Sequence, residues 1–138
     1  MTGYQSEAFR HDCSTRGCYI AGLPNWGDLF DVFPRGIQPT DVDGLVEING
    51  KFLVLEEKHF DADLSNGQRY AFERLAMLGP VTVFVFRPAR PSGLHVKTIT
   101  ARTIATSTHL RWEHISRTDF KERLRLWAAY ADKRKAAA

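Results

Sequence analysis

Cysteine is scarce: only Cys13 and Cys18 occur in 138 residues. Two thiols do not make the disulfide framework that replaces a core in small secreted domains, so both are read as reduced structural thiols. His11 joins them in the outline of a metal knuckle, but Cys-x4-Cys with one histidine lacks a fourth ligand. No run approaches the ~20 consecutive apolar residues that span a bilayer. The first residues, Met1 to Glu7, lack the basic and apolar stretches of a signal peptide. These absences argue against a membrane protein and make a cytoplasmic location the expectation. There is no internal repeat, linker or low-complexity tract. A large excess of one sign of charge is also lacking: the net charge is +3 and the pI about 9.0, which permits a polyanionic partner without requiring one.

What is present is an ordinary globular composition, 43% hydrophobic and 25% charged. The length suits one compact domain over residues 1–138. Tyr4, Glu7, Ala8 and His11 share a face in a first helix over 4–16. Glycines and prolines fill residues 17–40, interrupted by Leu29-Phe30-Asp31-Val32-Phe33, whose β-branched and aromatic content predicts a short strand. Two β-rich runs, Val42 to Ile48 and Lys51 to Lys58, flank Asn49-Gly50, the strongest short hairpin signal. Ser65-Asn66-Gly67-Gln68 matches a capping box and predicts a helix to about Leu78, stopped by Gly79-Pro80. Val81 to Phe86 is apolar throughout, as in a strand buried on both faces. His95 to Thr103 alternates like a further strand, and Thr118 to Lys135 reads as a final helix anchored by Phe120, Leu124, Leu126, Trp127 and Tyr130.

Counting outward from the turn sets Glu47 against Phe52, Leu45 against Val54 and Asp43 against Glu56. Opposed residues have Cβ atoms ~5 Å apart on one face. Lys58 shares that face, as does Asp41, whereas Glu57 points to the other. Two opposed carboxylates repel unless a cation lies between them. Mg²⁺ suits the position because it takes oxygen ligands and few protein carboxylates. An adjacent lysine then stabilises developing negative charge or orients a water. The plain alternative is a solvated strand end with Lys58 paired to Asp41 or Glu56.

At this point the chain resembles the PD-(D/E)XK nuclease superfamily. The resemblance rests on Pro39-Thr40-Asp41-Val42-Asp43-Gly44-Leu45-Val46-Glu47-Ile48, on Phe52-Leu53-Val54-Leu55-Glu56-Glu57-Lys58, and on Ser65-Asn66-Gly67-Gln68 followed by Val81 to Phe86. It covers roughly residues 4–87 and implies an α/β fold with a restriction-endonuclease-like core of helix, three strands, helix and strand, here extended by a C-terminal strand and helix. It further implies hydrolysis of phosphodiesters in DNA with Mg²⁺ or Mn²⁺. Asp43 and Glu56 would bind the metal and Lys58 would assist catalysis. Asp41 competes with Asp43, because the aspartate does not directly follow Pro39. Gln68 and Tyr70 resemble the glutamine and tyrosine of the virus-type replication-repair, Holliday-junction-resolvase and RecB-like exonuclease branches. Gln68 is equally a capping residue, and the two roles are compatible. Glu7 is a candidate additional acid.

Arg10, Arg16, Arg35, Arg69, Arg74, Arg87 and Arg90 are spread through the chain, and those that flank the site, Arg10 and Arg69 first, are candidate phosphate contacts; Trp26, Phe30 and Tyr70 either stack on bases or pack in the core. His59, His95, Asp61 and Asp63 read as incidental or solvated. A homodimer, or a helicase or recombination partner, suits a chain of this size, and the free-standing format suits a phage-encoded protein. Two other classes compete: a catalytically silent nucleic-acid-binding or protein-interaction module on the same fold, and a phage or plasmid protein that inhibits a host factor.

Overall fold

The computed structural model describes residues 26–29, 31–37 and 39–133. The expected first helix, with Glu7, Arg10, His11, Cys13 and Cys18, lies outside the described residues, as do Phe30, the side chain of Trp26 and residues 134–138. The described residues fall into two units divided after Asp41, and each is taken by itself.

In the first unit the strand expected over Leu29–Phe33 is not formed at its described positions. Trp26–Leu29 and Pro34–Gly36 are short 3-10 turns, and Asp31 to Phe33 are turn and bend. The Val32 amide donates to the Leu29 carbonyl at 3.0 Å, and Arg35 takes φ 57° just after Pro34. Local turn geometry and Pro34 prevail over the β preference of isolated aromatics, which is mostly a preference for packing against neighbouring strands.

The second unit is a mixed α/β structure on a five-stranded open sheet. Strands β1 (Gly44–Ile48) and β2 (Lys51–Glu57) form an antiparallel hairpin. Asn49 (φ 52°) and Gly50 (φ 80°) supply the two left-handed positions of its turn. Helix α1 (Asn66–Met77) links β2 to β3 (Val81–Pro88), which is parallel to β2. Strand β4 (Leu94–Ile99), helix α2 (Ala101–Ala105), strand β5 (Glu113–Ile115) and helix α3 (Arg117–Asp132) complete the chain. The sheet order is β1-β2-β3-β4-β5, with β4 antiparallel to both of its neighbours.

Two elements depart from the sequence reading. The strand expected through Thr103 ends at Ile99, because Thr100 and Thr103 form a reciprocal capping box that starts α2. The alternation over Thr98, Thr100 and Arg102 is therefore not a strand pattern beyond Ile99. Strand β5, three residues long, gives no signal of its own.

The cores divide by side-chain parity. On one face Val54, Val83, Val85 and Ile99 meet Phe72 and Ala76 of α1, with Leu75, Ile104 and Trp112 packed around them. On the other, Phe120 of α3 packs against Phe84 and Phe86 at ring-centroid distances of 6.0 and 5.1 Å. The same helix is tied to β5 by a two-bond Arg123–Glu113 pair at 2.7 and 2.8 Å. Its far end meets the hairpin turn, where Asn49 donates to the Ala131 carbonyl at 3.2 Å.

Phe120 is 1% exposed. Phe120→Ala is expected to cost about 3–5 kcal/mol through lost burial and a residual cavity, measured as a lower urea midpoint with an unchanged slope. A loss below about 1 kcal/mol would mean that α3 does not secure this face.

Candidate functional site

The hairpin register is the one counted from the turn: Ile48 faces Lys51, Glu47 faces Phe52, Leu45 faces Val54 and Gly44 faces Leu55. Asp43 and Glu56 follow one step further. Past the last ladder pair, the Asp43 carboxylate accepts the Glu57 amide at 2.8 Å, so a side chain continues the pairing. On the other side of β2, the Lys58 amide donates to the Phe86 carbonyl at 2.8 Å, which holds Lys58 beside β3.

Glu56 is the unusual residue. It is 4% exposed, a carboxyl among apolar strands, and its Oε2 is buried without a hydrogen-bond partner. Oε1 accepts from Gln68 Nε2 at 3.2 Å and lies 3.6 Å from Lys58 Nζ. Burial first, and the charge of Asp43 second, push its pKa up to about 7 against the opposing pull of Lys58. The site thus holds its acidic group in a form close to neutral. A second cation in place of the proton would relieve both causes at once.

Gln68 closes the helix cap and also contacts Lys58 and Glu56. Its Oε1 accepts from Lys58 Nζ at 2.7 Å and from the Ser65 amide at 3.2 Å, while the Ser65 hydroxyl accepts the Gln68 amide at 3.2 Å. One carboxamide therefore closes the capping box of α1 and bridges Lys58 to Glu56. The geometry follows from the β2–α1–β3 connection, which sets the N-terminus of α1 at the end of β2 where Glu56 and Lys58 lie.

The remaining candidates are less central. Tyr70 is 45% exposed on α1, with the guanidinium groups of Arg69 and Arg74 lying 4.9 and 5.8 Å from its ring centroid. Arg69 pairs with Glu73 at 3.3 Å. Asp41 is exposed and closes the preceding unit.

A second polar group went unrecognised in the sequence. Asp63 is not merely solvated: its carboxylate accepts from the buried Lys97 at 2.6 Å. Burial would raise the Asp63 carboxyl, but the bonds from Lys97 and the Leu64 amide, with the charges of Lys97 and Arg87, lower it. Arg87 donates to the Ala62 carbonyl at 2.7 Å and lies 3.9 Å from the Trp112 ring centroid. The signal was parity. Arg87 continues the Val83-Val85 row, and Lys97 and His95 continue the row that begins at Ile99.

Among the described residues no three His, Cys, Asp or Glu side chains are grouped as a metal cluster. Asp43 and Glu56 are what the site offers. Two carboxylates, one with an orphaned buried oxygen, fit a hard and largely hydrated divalent ion. No family model matches the chain, and no curated protein or solved structure matches it either.

A raised carboxyl pKa has a definite stability consequence. Folded Glu56 keeps its proton up to about pH 7, whereas the unfolded chain releases it near 4.5. The fold binds more protons in that window, so this contribution is lost as pH rises through it. In EDTA, Glu56→Gln is expected to be more stable than the parent by roughly 2–4 kcal/mol at about pH 8, the difference vanishing below about pH 4.5. Urea titrations at both pH values test this, and parallel pH profiles for the two proteins would contradict it.

Proposed function

We propose that the protein is a divalent-metal-dependent nuclease that hydrolyses phosphodiester bonds in DNA. The observation that carries this reading is the buried, half-satisfied carboxyl of Glu56, opposed by Asp43 and joined to Lys58 through Gln68. A structural ion pair has no use for an orphaned oxygen and a second carboxylate, whereas a cation site uses both.

Asp43 and Glu56 would hold the ion, Mg²⁺ or Mn²⁺. Such an ion, when bound, polarises a phosphate oxygen and lowers the pKa of a coordinated water. Lys58 supplies a fixed positive charge at the pocket, where it stabilises the charge that builds on the phosphoryl oxygens or orients the attacking water. Gln68 is a positioning residue: its Oε1 holds the ammonium at 2.7 Å and its Nε2 holds the carboxyl at 3.2 Å. Burial keeps bulk water away from Glu56, so the lysine acts in a medium of reduced dielectric. Arg69 and Tyr70, on the first turn of α1, are the nearest candidates for contacts to the substrate backbone or an unpaired base.

A second reading keeps the fold without the chemistry. Its support is the contact between Lys58 and Glu56, 3.6 Å apart, which already offsets part of the buried charge. The Lys58→Ala variant decides between them. With Mg²⁺ or Mn²⁺ present, the parent is expected to degrade DNA and to stop on addition of EDTA. Lys58→Ala is expected to lose at least about 100-fold in rate while retaining its fold and DNA binding. Cleavage by Lys58→Ala at the parental rate, or cleavage indifferent to EDTA, would refute the assignment. A panel of linear, circular and branched DNAs identifies the preferred substrate.

A further inference from the structure

From Lys58 the sheet continues in three basic side chains that the catalytic reading does not use, Arg87, His95 and His114. Lys58 lies beside Arg87, Arg87 is paired with His95 across β3 and β4, and His95 is paired with His114 across β4 and β5. All four project from the same face, because each shares parity with the Val54, Val83, Val85 and Ile99 core. Neighbouring strands are ~4.8 Å apart, so the row runs roughly 14 Å from Lys58 to His114.

Its members are held together rather than scattered. Arg87 donates to the Ala62 carbonyl at 2.7 Å, lies 3.9 Å from the Trp112 ring centroid, and donates to His95 Nδ1 at 3.4 Å, a bond made with the neutral imidazole and given up when that ring gains its second proton. The His95 and His114 rings meet edge to face at 5.6 Å, and His114 is fixed by the Ser92 carbonyl at 2.8 Å. A carbonyl and an aromatic ring orient a guanidinium without neutralising it. Among the described residues no carboxylate forms an ion pair with Arg87, His95 or His114; Asp63, whose charge interacts with Arg87, is bonded to Lys97, and Asp61 acts on His95 through its charge alone. Trp112 has Arg87 at 3.9 Å and Lys97 at 4.5 Å from its ring centroid and packs against the core, so it is not free to stack on a base.

We propose that Arg87, His95 and His114 form a phosphate-binding subsite that carries the backbone of a single nucleic-acid strand away from Lys58 across the sheet. The inference rests on the nuclease reading for its direction, but binding is measurable without cleavage. The span covers a few consecutive phosphates. Recognition is of charge rather than of base identity, because a row of cationic groups following the backbone contacts phosphates common to every sequence.

His95 gives the subsite a pH dependence. Burial first, and then the charges of Arg87 and His114, hold the His95 imidazolium below its usual range, with Asp61 of the preceding loop opposing. Lys97, two residues along β4, is already committed to Asp63. A bound phosphate adds the missing negative charge, so binding raises the His95 pKa and affinity falls as that ring deprotonates.

The test uses an oligothymidylate and the full chain in EDTA, where no cleavage occurs. Affinity is expected to fall about tenfold or more between roughly pH 5.5 and pH 8, and the ring resonances of His95 are expected to titrate at higher pH when the strand is bound. His95→Gln flattens that pH profile, and His114→Gln lowers the affinity and its salt dependence. His114→Lys keeps a positive charge and is expected to restore affinity at about pH 8, an outcome that a purely structural histidine would not give. Binding unaffected by these substitutions, or no binding of the oligonucleotide at all, would overturn the subsite. Histidine-dependent binding by a protein that never cleaves DNA would support the subsite and remove the nuclease reading; cleavage with binding indifferent to both histidines would do the reverse.

Discussion

The structure is organised around the burial of one carboxyl group. Glu56 lies on β2, an interior strand, between the hairpin partner β1 and the parallel strand β3. Removing a carboxylate from water is expensive unless it is paired and hydrogen-bonded. Here the compensation is incomplete: Oε1 has Gln68 and Lys58, while Oε2 has no partner. The charge of Asp43, just before β1, adds a repulsion that its backbone amide offsets only in part. An arrangement that retains both penalties is better suited to a group that comes and goes, a proton or a cation, than to a permanent fold-stabilising contact.

That constraint reaches outward through Gln68. The carboxamide that touches Lys58 and Glu56 also accepts the Ser65 amide at the start of α1, so the helix terminus and the polar pocket are fixed by the same side chain. The segment between Lys58 and Ser65 is secured separately. Lys97 holds Asp63 and Arg87 holds the Ala62 carbonyl, both from the interior strands. A displaced α1 would therefore break the pocket, and a loosened 59–64 segment would displace α1. Precision at the site comes from this double attachment rather than from the strength of any single bond.

Much of this was legible in the sequence because it depends on short-range rules. Asn49-Gly50 sets the turn, the turn sets the register, and period-two alternation separates Glu56 from Glu57. Ser65 and Gln68 announce their own capping box. What escaped depends on long-range pairing. His95, His114 and Arg87 become neighbours only after β3, β4 and β5 align, and β5 is too short to carry a pattern. The buried Lys97 was hidden for the same reason, since its partner Asp63 is 34 residues away. The misread strand at Leu29–Phe33 and the overextended one through Thr103 share a cause. β-like composition in the first and alternation in the second are overridden by local turn and cap chemistry.

The two faces of the sheet also differ in what they leave free. Helix α3 places Phe120 and Trp127 in the core of one face and fastens itself to β5 through Arg123 and Glu113. On the other face α1 and α2 cover Val54, Val83, Val85 and Ile99, and beyond these the carboxyl ends of the parallel pair β2 and β3 bear Glu56, Lys58 and Arg87. In open α/β sheets this end is where ligands bind, because the chain leaves the strands there and the helices begin. Asp43 and Glu56 lie within one strand spacing of a basic row. The proposed cation and the proposed phosphate have opposite requirements, and this order of charges at one end of the sheet would meet both.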